Sequence, residues 1–157
     1  MDKKLSFKLL ENVLILKKNK LFVNVNTSEL RSVAEISEEV CFDNGQHIIE
    51  VGERGDSLYL VKLGAVQVFR KSPKTGELVK NTELSEGDYF GEMVMVDEGI
   101  REQTVVSAGN SVMLRIGKDD LYTVIHLYPS IGVEFFGRIV KMVNEEKKYL
   151  EKLLGRW

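Results

Sequence analysis

The sequence predicts a mainly β protein with helices at both ends, and three observations lead there. From about residue 40 to residue 117 the chain is a series of short apolar runs separated by glycines, at roughly 8–12-residue spacing. On either side of that stretch apolar residues recur at helical spacing instead. The chain has 157 residues, 43% of them apolar, with one cysteine. That length suits a single domain able to bury its own core without disulfides or metals. Many short strands with turn signals between them suit a closed or double-sheet β structure.

The elements follow in order. Leu9, Leu10, Val13, Leu14 and Leu16 lie at helical spacing and predict a helix over 5–16, closed by Lys17, Lys18 and Lys20. A second helix is expected to start near Asn26 or Thr27. Asn26 with Glu29 makes a capping-box pattern, and Leu30, Val33, Ile36 and Val40 supply one apolar face. Strands are expected at 40–42, 47–51, 57–62, 65–71, 78–84, 103–107 and 111–117. Gly45, Gly52, Gly55, Gly64, Gly76 and Gly87 fall in or beside the gaps, where a turn calls for positive φ. Ser72 to Glu77, with Pro73 and Gly76, reads as a hairpin loop. Lys118-Asp119-Asp120 opens a short helix through about His126. Pro129 breaks the chain and starts a long helix over 130–155. Phe135, Ile139, Met142, Tyr149 and Leu153 form one stripe of that helix. Phe136, Val140, Val143, Leu150 and Leu154 form its neighbour, a face wider than a coiled-coil seam. The whole is read as one domain, 1–157: N-terminal helices over about 1–39, β structure over 40–117 and C-terminal helices over 118–157.

Composition excludes several classes. The formal net charge is −2, which provides no field for nucleic acid or an anionic membrane. No run of about 18 apolar residues is present, so no membrane insertion is expected. The N-terminal segment is interrupted by Lys8, Glu11, Lys17 and Lys18 and lacks a signal-peptide pattern, and a cytoplasmic location is expected. Cys41, between Val40 and Phe42, reads as a small buried core residue. The two histidines, His47 and His126, stand apart from any nucleophile or ligand cluster and read as structural. No enzyme, no metal and no cofactor is expected.

The segment richest in chemistry is Phe90-Gly91-Glu92-Met93-Val94-Met95-Val96, followed by Arg101-Glu102-Gln103-Thr104-Val105. Gly91 lets backbone approach another group closely. Met93 to Val96 reads as a helical turn whose free N–H groups favour an anion. Arg101 enters just before a strand, and its planar fork suits a phosphate. A carboxylate, a helical N-terminus and an arginine in one loop can hold a sugar hydroxyl and a phosphate together. A surface loop with solvated charges is the alternative that this segment alone leaves open.

The wider pattern, Phe42-Asp43-Asn44-Gly45 through Val51-Gly52-Glu53-Arg54-Gly55-Asp56-Ser57 to Gly64, then Glu86-Gly87-Asp88-Tyr89-Phe90-Gly91-Glu92, resembles the cyclic nucleotide-binding domain family over roughly residues 20–145. The resemblance is to domains of the catabolite activator and protein kinase A regulatory-subunit type. It implies an eight-stranded β-roll of the jelly-roll kind with a phosphate-binding cassette at 90–105. It also implies that Glu92 bonds the ribose 2′-hydroxyl and that Arg101 pairs with the cyclic phosphate. Backbone N–H groups around Gly91 and at Glu102 would complete the cradle, and Met93 and Gln103 would border it. The C-terminal helix would be the lid over the base. The ligand implied is a cyclic purine nucleotide, with cyclic AMP expected ahead of cyclic GMP. Two departures stand out: Glu102 and Gln103 follow the arginine where the family has Ala, Ser or Thr, and Val94 replaces a small residue. The Glu102 carboxylate would face an anionic phosphate. The competing reading is a ligand-free interaction domain of the same fold, working through a second copy or a partner protein on the long helix. Only Arg156 and Trp157 follow Gly155, so no helix-turn-helix output domain is expected in this chain.

Overall fold

The structure is a computed structural model that describes residues 3–155. The expectation placed on Arg156 and Trp157 lies outside the described residues. Helices α1 (Lys3–Lys18) and α2 (Thr27–Ile36) precede strands β1 (Glu38–Phe42), β2 (His47–Ile49), β3 (Ser57–Lys71), β4 (Leu78–Ser85) and β5 (Tyr89–Phe90). A 3₁₀ turn (Glu92–Met95), β6 (Gln103–Gly117), α3 (Lys118–Leu127) and α4 (Pro129–Leu153) complete the order. All strand pairings are antiparallel. The sheet runs β1-β6-β3-β4, with β2 added on β6 and β5 on β3.

The middle of the chain thus has two long strands where four short ones were expected. Strands 57–62 and 65–71 are one strand, β3, and 103–107 and 111–117 are one strand, β6. The two pair from Ser57↔Gly117 to Arg70↔Gln103, with register shifts around Leu63. Each bends at a glycine: Gly64 at φ +88° and Gly109 at φ +79°. The bends interlock. A Cβ on Gly64 would lie 2.9 Å from the Asn110 carbonyl oxygen, and Ser107 Oγ bonds the Gly109 carbonyl at 2.7 Å. The ladder shifts register at these bends and resumes beyond them, which curves the sheet into a roll. The bending divides each long strand into two straight arms, which accounts for the eight strands of the expected β-roll.

The first arm of β3 is buried on both sides, so its apolar run is unbroken. Alternation then sorts it: Leu58 and Leu60 face the helices, while Tyr59 and Val61 face the interior of the roll. The helix-side core joins Leu16, Phe22, Leu30, Val33, Leu114, Ile116, Leu121, Ile131, Phe135 and Ile139. The roll's own core holds Ile49, Val66, Val68, Phe90, Val105 and Met113. Phe22 and Phe135, 5.3 Å between ring centres, weld the N-terminal helices to α4.

Three local expectations change. Asn26 caps α2 by accepting from the Ser28 N–H, but the Glu29 carboxylate accepts from Ser130 Oγ at 2.7 Å rather than turning back. Val40 is in β1, because the helix stops at Ile36 and Ser37 Oγ caps Val33. Cys41 is exposed, not core. On a strand of period two, Val40 and Phe42 turn partly inward, so Cys41 between them must face out.

Candidate functional site

The site is built where two loops lock together. Gly55 N–H bonds the Gly99 carbonyl at 2.7 Å, Arg101 N–H bonds Glu53 at 2.8 Å, and Gly52 N–H bonds Arg101 at 2.9 Å. Arg54 and Ile100 form a bridge between the same loops. Arg101 is therefore fixed at its backbone before its side chain does anything. The side chain is 6% exposed. Its Nη2 donates to the Ser57 carbonyl at 2.7 Å and its Nη1 to the Gly91 carbonyl at 3.1 Å. Its Nε is buried and has no protein partner among the described residues. Burial pulls the Arg101 pKa down from the usual guanidinium value, while the surrounding Tyr59, Asp56, Asp97 and Glu92 act to raise it.

Two glycines make room for this guanidinium. Gly91 lies at φ +75°, where a side chain is strained, and a Cβ there would stand 2.8 Å from Nη1. Gly55 is different: its φ is ordinary, but a Cβ would fall 2.2 Å from Nε and 2.4 Å from Cζ. It was expected to be a turn residue, and its role is close approach instead. Gly91 also caps the 3₁₀ turn Glu92–Met95 that was expected as a helical turn.

All six residues singled out from the sequence, Gly91, Glu92, Met93, Arg101, Glu102 and Gln103, line one small cavity of about 60 Å³, with Ile49, Arg70, Val94 and Ile100. Glu102 is exposed there, where solvent screens its charge. Glu92 is half-buried. Burial raises its pKa above the usual carboxylate range, although its own backbone N–H and the cations Arg70 and Arg101 oppose the shift. A second cavity of about 780 Å³ shares Arg70, Glu92 and Gln103 with the first. It is walled by Val68 and Phe90 of the roll, Asn81, Thr82 and Leu84 of β4, and Arg138, Lys141 and Met142 of α4. The Tyr89 hydroxyl contacts Met142 Sδ, which holds α4 against β5.

Sequence reasoning missed Arg70 and the packing role of Gly55. A signal existed for Arg70: it continues the alternation Val66, Val68, Arg70 on β3, which places a cation on the roll's inner parity. Nothing local marks Gly55, because the arginine that needs its space lies 46 positions later.

Comparison with known proteins agrees with this architecture. The family model described as cyclic nucleotide-binding domain matches residues 39–128, more than half of the chain. A cAMP-dependent protein kinase regulatory subunit of Mucor circinelloides f. lusitanicus is 29% identical over 98 residues, covering 62% of this chain and 22% of that protein. A cGMP-dependent protein kinase, isozyme 1, of Drosophila melanogaster is 32% identical over 93 residues, covering 59% of this chain and 12% of that protein. The chain thus spans less than a quarter of the length of either relative. Among solved structures, the Thermus thermophilus catabolite activator protein superposes with a TM-score of 0.77 at 25% identity, covering 86% of this chain and 63% of that one. With the match over residues 39–128 and the β-roll with its flanking helices in place, the chain belongs to the cyclic nucleotide-binding domain family.

Proposed function

We propose that this domain is a regulatory sensor, not an enzyme, and that its ligand is a cyclic purine nucleotide held between the cassette and α4. One observation carries the reading. Arg101 is buried, commits Nη1 and Nη2 to the carbonyls of Gly91 and Ser57, has no partner for Nε among the described residues, and lines a cavity. A buried cationic donor left unpaired is costly unless a ligand completes it, and a cyclic phosphate supplies the charge and the acceptors. In this reading Glu92 accepts the ribose hydroxyl, and the N–H groups beside Gly91 and Glu102 add to the phosphate cradle. The base enters the larger cavity, and α4, through Arg138, Lys141 and Met142, covers it.

The test is direct. Purified protein is denatured and the released small molecules are weighed by mass spectrometry. The stripped protein is then titrated with cyclic AMP and cyclic GMP by calorimetry. Losing one member of a desolvated charge pair costs roughly 2–5 kcal/mol, so Arg101→Ala should weaken binding by tens- to thousands-fold. Gly55→Ala should also weaken it, because it displaces the guanidinium without touching the ligand. Arg101→Lys, which keeps the charge but loses the fork, should fall between parent and Arg101→Ala. Parent-like affinity in Arg101→Ala would refute the assignment.

A second reading is favoured by a separate observation. Val140, Val143 and Leu150 of α4 and Leu154 at its C-cap are exposed by 58%, 45%, 55% and 68%, at steps of three, seven and four residues. That stripe suits a second copy of the chain, with or without nucleotide. Sedimentation of the stripped and the loaded protein separates the two readings. A concentration-dependent dimer with no nucleotide response would support an interaction domain of this fold.

A further inference from the structure

The two cavities share Arg70, Glu92 and Gln103; with Glu92 taken up by the ribose in the reading above, the pair Arg70 and Gln103 bears on which base is taken. Arg70 of β3 and Gln103 of β6 are direct partners in the β3–β6 register, and both line both cavities. With the Gln103 amide oriented so that its oxygen faces Arg70, that oxygen accepts from Arg70 Nε at 3.1 Å and from Nη2 at 2.7 Å. A carbonyl oxygen has two lone pairs, and this pairing uses both. A free glutamine would suit adenine, whose N6 amino group donates to the amide oxygen while N7 accepts from the amide nitrogen. Here the oxygen is taken. What this pair still offers is the Gln103 amino group and the outer guanidinium N–H groups of Arg70, which are donors only. Adenine would set its N6 donors against them. Guanine offers two adjacent acceptors, O6 and N7, the edge that an arginine fork matches.

Resting on the reading of the site given above, we infer that Arg70, pinned by Gln103, is a specificity-determining residue that selects a 6-oxopurine, so that the domain prefers cyclic GMP to cyclic AMP. Arg70 is exposed at the mouth of the cavity, and the core does not depend on it. Its charge also favours the ionised Glu92. That effect reaches every nucleotide alike and cancels in a ratio of affinities.

The experiment is calorimetric titration of the parent and of Arg70→Met with three probes: cyclic GMP, cyclic AMP and cyclic IMP. Cyclic IMP keeps O6 and N7 but lacks the 2-amino group. In the parent, cyclic GMP and cyclic IMP should each bind roughly ten- to a hundredfold more tightly than cyclic AMP. Arg70→Met frees the Gln103 oxygen, so the preference should collapse to near unity or reverse. Equal or tighter binding of cyclic AMP by the parent overturns the inference. So does a preference that survives Arg70→Met, or cyclic IMP binding like cyclic AMP, which would place recognition at the 2-amino group. The parent comparison needs no variant to fold. If none of the three nucleotides binds the parent, the sensor reading falls and this inference falls with it. Binding of all three without preference removes only the choice of base.

Discussion

Under the proposed function Glu92 sits in a conflict. Burial disfavours its charge, yet a ribose hydroxyl is best accepted by the ionised carboxylate. Its folded pKa lies above that of an unfolded glutamate, so the folded apo domain holds the proton more tightly. The stability this contributes is present below the ordinary carboxylate pKa and is lost as pH rises through the raised value. Glu92→Gln should therefore be more stable than the parent at neutral pH, with the difference closing on acidification. Denaturant melts of both proteins between about pH 4 and pH 8 read this, across the carboxylate range. Nucleotide affinity should move the other way, falling in the parent as pH drops through the same window and staying flat and weak in Glu92→Gln. A variant less stable than the parent at neutral pH would mean that the ionised carboxylate supports the fold. At this scale the sequence was a good guide to which groups gather, since Gly91, Glu92 and Arg101 are close in the chain. It misjudged Cys41, where the side of the strand that faces the core decides burial.

Among the elements, α1 is fastened to the roll by charge as well as by packing. Lys62 of β3 is 8% exposed. Its ammonium meets the Glu11 carboxylate of α1 at 3.1 Å and that of Glu39 in β1, which in turn meets Lys8 at 3.3 Å. Burial works against the lysine charge, but the bonds to Glu39 and Glu11 outweigh it and raise its pKa. The Lys62 bond likewise holds the Glu39 carboxyl below its usual range. Removing both carboxylates strands a buried cation, whereas removing the lysine leaves two groups that water can reach. Glu11→Gln with Glu39→Gln should thus cost about 3 kcal/mol, and Lys62→Met only about 1 kcal/mol. Chemical denaturation measures both, and equal losses would show that stranding the buried cation carries no extra cost. Helix positions and types were legible because period and caps are local. The fusion of four expected strands into two was not, since Gly64 reads as a turn and the gap at 108–110 reads as a second one. Only the pairing of β3 with β6 on both sides of the bends joins the arms into two long strands.

Across the whole molecule, α4 has two halves with different duties. Ile131, Phe135 and Ile139 are buried in the helix-side core, and Met142 packs against it. Beyond them Tyr149, Leu150, Leu153 and Leu154 are exposed by 63%, 55%, 65% and 68%. The middle of the helix, at Arg138, Lys141, Met142, Glu145 and Glu146, borders the larger cavity. A ligand shifts a helix only through its different affinity for two positions, and contact at this middle segment is where such a difference can arise. Saturating nucleotide should slow amide exchange across residues 135–146 together with the cassette at 90–105. The distal turns from Tyr149 onward should change only if the protein also associates. Exchange mass spectrometry, with sedimentation on the same samples, reads both. Protection confined to the cassette would leave α4 as scaffold and remove it as a signal output.

By itself the sequence determined the class of the fold, the succession of helices, strands and helices, and the segment whose residues gather around one cavity. Each of these is written in near neighbours: apolar period, capping residues, glycines at turns, and the run from Phe90 to Val105. Tertiary structure decided which distant atoms share a volume. It laid Arg101 onto Gly55, put Lys62 between the carboxylates of two other elements, and brought Arg70 to the side-chain amide of Gln103. No local pattern encodes those meetings, because they depend on the bends and register that bring β3 and β6 side by side. The chemistry of the cavity wall depends on them all the same. A glutamine can read either donors or acceptors until folding hands its oxygen to an arginine.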